Sequence, residues 1–189
     1  MRIIAGEFRS RKLKAPPLRI ARPTKDRVRE AVFSAIAGWT EKSRVLDLFS
    51  GSGAYGLEAL SRGAAFCTFV DNDLECTGII RENVEGLGLE QRSGIKRMDA
   101  AEYLDSLKDG HEKFDIVFLD PPYGEGTSKN ILIMIERYDI LGDSGLLIAE
   151  HDSKERVPER VGGLSLYKQK SYGITSVSIF VRSPEYRVV

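Results

Sequence analysis

Cysteine and histidine are scarce, with two of each in 189 residues. Cys67 and Cys76 stand far from either histidine, and that spacing excludes the usual zinc sites. Cys67 lies inside an apolar run and reads as a small buried hydrophobe. Long hydrophobic runs are missing too, and no stretch approaches the ~18 residues that span a bilayer. The opening Met1-Arg2-Ile3-Ile4-Ala5-Gly6 carries neither the apolar region nor the cleavage site of a secretory signal. Repeats and low-complexity tracts are absent. These absences predict a reduced, cytoplasmic protein with no metal and no membrane span.

What is present is ordinary globular composition, 42% hydrophobic and 30% charged. The length suits one α/β domain with a small appendage rather than two full domains. Formal net charge is zero, but its distribution is uneven. The first thirty residues hold ten basic side chains against three acidic ones, a net +7 that the rest of the chain balances with −7. That asymmetry predicts a polyanion held by the N-terminal segment. The candidate contacts are Arg2, Arg9, Arg11, Lys12, Lys14, Arg22, Arg27 and Arg29. Residues 1–23 read as a basic arm or hairpin with little core of its own, ahead of a domain over 24–189.

From Val45 onward, apolar strand-like runs alternate with helical patterns, the signature of a parallel sheet built from βαβ units. Strands are expected at Arg44–Phe49, Phe66–Asp71, Ile95–Met98, Phe114–Asp120 and Gly145–Glu150. Helices are expected at Ala54–Arg62, Leu74–Leu87, Ala100–Leu107 and Ser128–Tyr138. Asp99 and Glu102 have capping-box spacing for the third of these. Val28, Ala31, Val32, Ala35 and Ile36 recur at helical period upstream. Two further extended runs, Leu164–Lys170 and Ile174–Arg182, flank Ser171-Tyr172-Gly173 and read as a closing antiparallel hairpin.

Asp47-Leu48-Phe49-Ser50-Gly51-Ser52-Gly53-Ala54-Tyr55-Gly56 is a strand end running through a glycine-rich turn into a helix. Such a turn brings backbone N–H groups close to a ligand at the helix N-terminus. Asp71 ends the next strand and is placed to accept ribose hydroxyls, with Asn72 beside it. Gly51 to Gly56 also matches the dinucleotide fingerprint, so the loop alone leaves two cofactor classes open. Asp47 tips the balance, because a carboxylate there would repel a pyrophosphate and suits the cationic amino-acid end of S-adenosylmethionine. Asp99-Ala100, after the third strand, is placed for the adenine.

Asp120-Pro121-Pro122-Tyr123 follows an apolar strand, at the sheet edge where open α/β folds bind ligands. An exocyclic base amine is a poor nucleophile, since its lone pair is delocalised into the ring. The Asp120 carboxylate and a backbone carbonyl can hold its two N–H groups and aim the lone pair at a methyl group. Pro121 and Pro122 stiffen the loop, and Tyr123 offers a face for stacking a flipped base.

These residues resemble the class I amino-methyltransferases. More narrowly, Arg2-Ile3-Ile4-Ala5-Gly6, Arg22-Pro23-Thr24-Lys25-Asp26-Arg27-Val28-Arg29-Glu30 and Gly56-Leu57-Glu58-Ala59-Leu60-Ser61-Arg62-Gly63-Ala64 resemble the RsmD family. Those bacterial enzymes methylate guanine N2 in 16S ribosomal RNA of the small subunit. The resemblance implies a Rossmann-like three-layer α/β fold, with a seven-stranded, mostly parallel sheet of order 3-2-1-4-5-7-6 whose strand 7 is antiparallel. It also implies that Asp71 holds the ribose of S-adenosylmethionine. Three other readings stand beside it: a DNA adenine or cytosine methyltransferase, an NAD-dependent oxidoreductase, and a non-catalytic RNA-binding assembly factor.

Overall fold

The computed structural model describes residues 1–16, 23–110, 112–121 and 127–182, without the side chains of 23–25 and 127. The expected sites Arg22, Pro122 and Tyr123 therefore lie outside the described residues. Five parallel strands are formed by β1 (Arg44–Leu48), β2 (Phe66–Asp71), β3 (Ser93–Arg97), β4 (Phe114–Leu119) and β5 (Leu141–Asp152). They are followed by β6 (Arg160–Val161), β7 (Leu164–Tyr172) and β8 (Thr175–Arg182). The spatial order is β3-β2-β1-β4-β5-β8-β7-β6, and β8 runs antiparallel to both neighbours. Setting aside the two-residue β6, this is the order 3-2-1-4-5-7-6. Three strands differ from the sequence expectation by two residues or more at an end, and β1, β4 and β8 by one. β3 starts earlier, β5 extends both ways, and β7 runs to Tyr172, so that the turn is Gly173 (φ 68°) and Ile174.

The helices are α1 (Pro23–Ala35), α2 (Ala54–Ser61), α3 (Leu74–Leu87), α4 (Ala100–Leu107) and α5 (Thr127–Arg137). Their ends follow from local chemistry. Asp73 accepts the N–H groups of Glu75 and Cys76 to start α3, and Gly88 at φ 67° stops it. Asp99 accepts the Ala101 N–H at 2.8 Å to start α4. On one face of the sheet, Val32 and Phe33 of α1, Leu57 of α2 and Ile80 of α3 pack on Phe69, Phe118 and Ile148. On the other, Leu104 of α4 and Leu132 and Ile135 of α5 pack on Leu46, Val117 and Leu147. No described helix is long and apolar enough to cross a membrane.

The N-terminal segment shares the first of these cores. Ile3 (1% exposed) and Leu13 belong to it, joined by an Arg2–Lys12 antiparallel bridge. The fully buried Glu58 carboxylate of α2 anchors the segment, accepting the Ile4 N–H at 2.7 Å and the Ala5 N–H at 3.0 Å. Gly6 turns at φ 85° against α2, where a Cβ would stand 1.9 Å from the Ser61 carbonyl oxygen. A side chain there meets backbone that cannot yield, in a conformation that L-residues avoid. Gly6→Ala should therefore lower stability by about 2 kcal/mol. Urea unfolding checks this, and an unchanged midpoint would mean that the segment does not dock in solution.

Candidate active site

The carboxyl ends of β1, β2 and β4 converge on one edge of the sheet, and each brings an aspartate. Asp47 on β1 is 2% exposed and shares a face with Val45, which turns it toward α2. Its Oδ2 accepts the Gly56 N–H at 2.9 Å, closing the loop from β1 into the helix. Gly56 is required by contact, since a Cβ would lie 2.3 Å from the Phe69 ring and 2.5 Å from Cys67 Sγ. The loop between turns through three left-handed residues, Phe49 (φ 58°), Gly51 (φ 57°) and Gly53 (φ 76°). Phe49 is the one with a side chain, partly buried against the Leu46–Leu48 core, and its conformation is strained.

Contacts from the end of β2 hold this loop. The Val70 N–H donates to Ser50 Oγ at 2.9 Å, and the Gly51 N–H donates to Asp71 Oδ2 at 2.8 Å. Asp71 Oδ1 accepts the Asp73 N–H at 3.0 Å. Each carboxylate oxygen can accept a further donor, so Asp71 can order the loop and still receive hydroxyl groups. Asn72 is exposed beside it. Asp99 and the buried Ala100 stand at the start of α4, with Asp99 serving as its cap. Asn83 of α3 was not apparent from the sequence. Its Nδ2 donates to the carbonyls of Ser52 and Lys14, both at 3.1 Å, tying the glycine loop to the N-terminal segment.

Asp120 immediately follows β4, with Pro121 buried after it. Burial pushes the Asp47 carboxyl well above the usual carboxylate range; the Gly56 N–H opposes this, and the charges of Asp120 and Asp71 add to it. Such a concentration of acid favours a cationic ligand and disfavours a pyrophosphate, which fits S-adenosylmethionine, with its sulfonium and ammonium, better than a dinucleotide. Tyr55 and Glu150 were also missed by the sequence reading. The Tyr55 hydroxyl donates to Glu150 Oε2 at 3.1 Å, and its ring stacks on Phe118, with centroids 4.9 Å apart and planes at 28°. Burial raises the Tyr55 pKa, and the charges of Glu150 and Asp120 raise it further, which places Tyr55 beside the acidic cluster.

The N-terminal cations divide into two groups. Arg2, Arg9, Arg11, Lys12, Lys14 and Arg27 are exposed. Arg11 nevertheless donates to the Gly86 carbonyl at 2.9 Å, and Lys14 pairs with Glu82 at 2.5 Å. Arg29, expected among the RNA contacts, is instead 2% exposed. It donates to the Arg2 carbonyl at 2.7 Å and to Asp26 at 3.1 Å, and lies 3.8 Å from Glu58. A guanidinium so enclosed is a structural cation that cannot reach a phosphate. Among the described residues, no group of His, Cys, Asp and Glu side chains could hold a metal ion.

The family described as Conserved hypothetical protein 95 matches residues 1–181. The chain belongs to this family. It is 39% identical over 180 residues to "Putative rRNA methyltransferase YlbH" of Bacillus subtilis, covering 95% of this chain and 98% of that one. It is 32% identical over 185 residues to Ribosomal RNA small subunit methyltransferase D of Escherichia coli, covering 98% and 91% respectively. The solved structure described as "Putative methyltransferase yhhF from Escherichia coli" superposes with a TM-score of 0.87 at 33% identity, covering 97% of this chain and 98% of that one. The family match includes the N-terminal segment, the glycine loop and Asp120-Pro121-Pro122-Tyr123 together.

Proposed function

We propose that this protein transfers the methyl group of S-adenosylmethionine to the exocyclic N2 amine of a guanine in 16S ribosomal RNA, acting in the cytoplasm on the small ribosomal subunit or an assembly intermediate. It is an rRNA methyltransferase by family, and the observation that carries the finer reading is Asp120. This carboxylate stands at the end of β4, beside the loop that Asp71 anchors.

When bound, the cofactor supplies an electrophilic methyl group on a positively charged sulfur. Asp120 accepts one N–H of the guanine amine, and a carbonyl of the adjoining loop accepts the other, so the nitrogen lone pair is drawn out of conjugation and aimed. As the N–C bond forms and the S–C bond breaks, the nitrogen becomes cationic. Asp120 would stabilise that charge, and the proton would then pass to solvent. Pro121, buried and without an N–H, holds the Asp120 backbone in place, while Tyr123 is the stacking face for the extruded base. Asp47 and Asp71 belong to the cofactor side of the edge.

Mass-spectrometric nucleoside mapping of ribosomal RNA from cells with and without the gene tests the reading. Loss of one N2-methylguanosine is expected, and an unchanged small-subunit profile would refute it. Asp71→Ala should weaken S-adenosylhomocysteine binding by about 1–3 kcal/mol through lost hydrogen bonds. Calorimetry that finds unchanged affinity would remove Asp71 from the site. Tyr123→Ala should lose about 1–3 kcal/mol of base stacking, whereas Tyr123→Phe should retain it. Transfer assays on the two variants compare them directly, and equal activity of Tyr123→Ala and wild type would discard the stacking role.

A further inference from the structure

Between α1 and the β7–β8 hairpin the structure leaves a cavity of about 290 Å³. Buried Val32, Val177 and Ile179 form its base, and the small side chains of Ala31, Ser34 and Ala35 line its α1 side. The opposite side is formed by Lys168, Lys170 and Tyr172 of β7, which alternate along the strand and so share a face. Among the described residues, no carboxylate lines the cavity. Both lysines are exposed, and Lys170 Nζ lies 5.4 Å from the centroid of the Tyr172 ring. Among the described residues, neither lysine forms an ion pair. They differ in this from Lys14 and Arg29 of the N-terminal region, which are already occupied by carboxylates.

The strand register connects this groove to the active site. Leu119 of β4 pairs with Ala149 of β5, Glu150 of β5 pairs with Val177 of β8, and Val177 pairs with Lys170 of β7. Asp120 and Lys170 therefore stand at the same level of the sheet, three strands or about 14 Å apart. Tyr172 lies beyond Lys170 at the ligand-binding edge, and the hairpin tip that follows exposes Ile174 at 62%.

We propose that this groove holds the single-stranded RNA flanking the target guanine, with Lys168 and Lys170 gripping phosphates and Tyr172 stacking a base. The inference rests on the RNA-methyltransferase reading above and gives that site its substrate-positioning surface. An apolar floor, an aromatic ring and unpaired cations together are what sequence-tolerant single-strand binding requires. Charge selects the occupant, because two lysines without a facing acid attract a polyanion. Contacts a few nucleotides from the reacting base position the strand without reading it, so their loss should appear in KM rather than in kcat.

The test uses the K168A/K170A double variant, Tyr172→Ala, and Ser34→Glu, which places a carboxylate on the opposite side. Binding of a fluorescein-labelled oligouridylate of about 12 nucleotides is followed at several salt concentrations. Methyl transfer is measured on transcribed 16S RNA and on undermethylated small subunits. The double variant should bind on the order of 10-fold more weakly, with a salt slope shallower by about 1.4, the share of two phosphates on a single strand. Tyr172→Ala should lose on the order of 10-fold without a change in slope, and Ser34→Glu should weaken binding as the double variant does. KM for RNA should rise while kcat and S-adenosylhomocysteine affinity stay at wild type. Wild-type slope and KM in both the double variant and Ser34→Glu would overturn the proposal. So would a defect seen only on assembled subunits, which would make the occupant a protein. A wild-type enzyme that methylates no ribosomal RNA would instead sink the functional reading, with oligouridylate binding still deciding the groove.

Discussion

Asp120→Ala should bind S-adenosylhomocysteine with near wild-type affinity while its methyl-transfer rate falls by about 100-fold or more. Cofactor binding survives because the glycine loop is held by Asp47, Ser50 and Asp71, through contacts to Gly56, Val70 and Gly51 that do not involve Asp120. Removing Asp120 also removes one of the charges that oppose ionisation of Asp47, so affinity for a cationic ligand shifts only modestly. The rate falls because the acceptor that localises the amine lone pair is needed most as charge develops on nitrogen. Single-turnover transfer to 16S RNA, with calorimetry on the same preparation, separates the two effects. Wild-type turnover in this variant would end the mechanism proposed for the Asp-Pro-Pro-Tyr loop.

The second large effect concerns stability. Glu58→Ala should cost about 3–5 kcal/mol, the scale for stripping one partner from a buried charge cluster. The fully buried Glu58 accepts from the Ile4 and Ala5 N–H groups and from Arg62 Nε at 2.7 Å. The enclosed Arg29 guanidinium lies 3.8 Å away. The variant therefore leaves two backbone donors and Arg62 Nε without their acceptor, and takes one of two nearby carboxylates from the enclosed Arg29. Domains of this kind have only about 5–15 kcal/mol of stability, so Glu58→Ala should unfold at far lower urea. Glu58→Gln preserves the shape and can still accept from the backbone, and should fall between the two. A Glu58→Ala midpoint within error of wild type would mean that the N-terminal segment is held by its apolar residues alone. The variant should also disturb the glycine loop, since Asn83 ties this segment to Ser52.

Glu58 also accounts for the three family-like segments. Residues 2–6, 22–30 and 56–64 are distant in sequence, yet Ile4, Ala5, Arg29 and Arg62 converge on this one carboxylate. Much of that likeness therefore specifies how the N-terminal segment packs. Arginine at position 29 looks the same in sequence whether it faces RNA or a buried acid, because residue type carries charge but not surroundings. Of the cations behind the +7 of the first thirty residues, Arg29 is enclosed and Lys14 faces Glu82, while Arg2, Arg9, Lys12 and Arg27 are exposed. Residues 160–184 hold four basic side chains, Lys168 and Lys170 among them, and no acidic one, an excess smaller than that of the first thirty residues.

Where a boundary depends on neighbours within a turn, the sequence was sufficient. The ends of α3 follow from Asp73 and Gly88, the start of α4 from Asp99, and β2 from its apolar run. The glycine loop and the strand-end acids were legible because left-handed backbone and close approach demand glycine within a few residues, and strand ends place the ligand edge. The two-residue β6 carries too little pattern to be seen alone, and β5 outruns its expected ends because pairing with β8 extends it to Asp152. Tertiary structure alone decided that Arg29 is buried, that Asn83 joins the N-terminal segment to the glycine loop, that Tyr55 pairs with Glu150, and that Lys170 stands level with Asp120. Each of these is a meeting of residues about 30 or more positions apart, and no local propensity encodes it. Those contacts arise when the crossover connections return each strand to its place in the sheet, and hydrophobic burial, which has no direction of its own, is what brings them there.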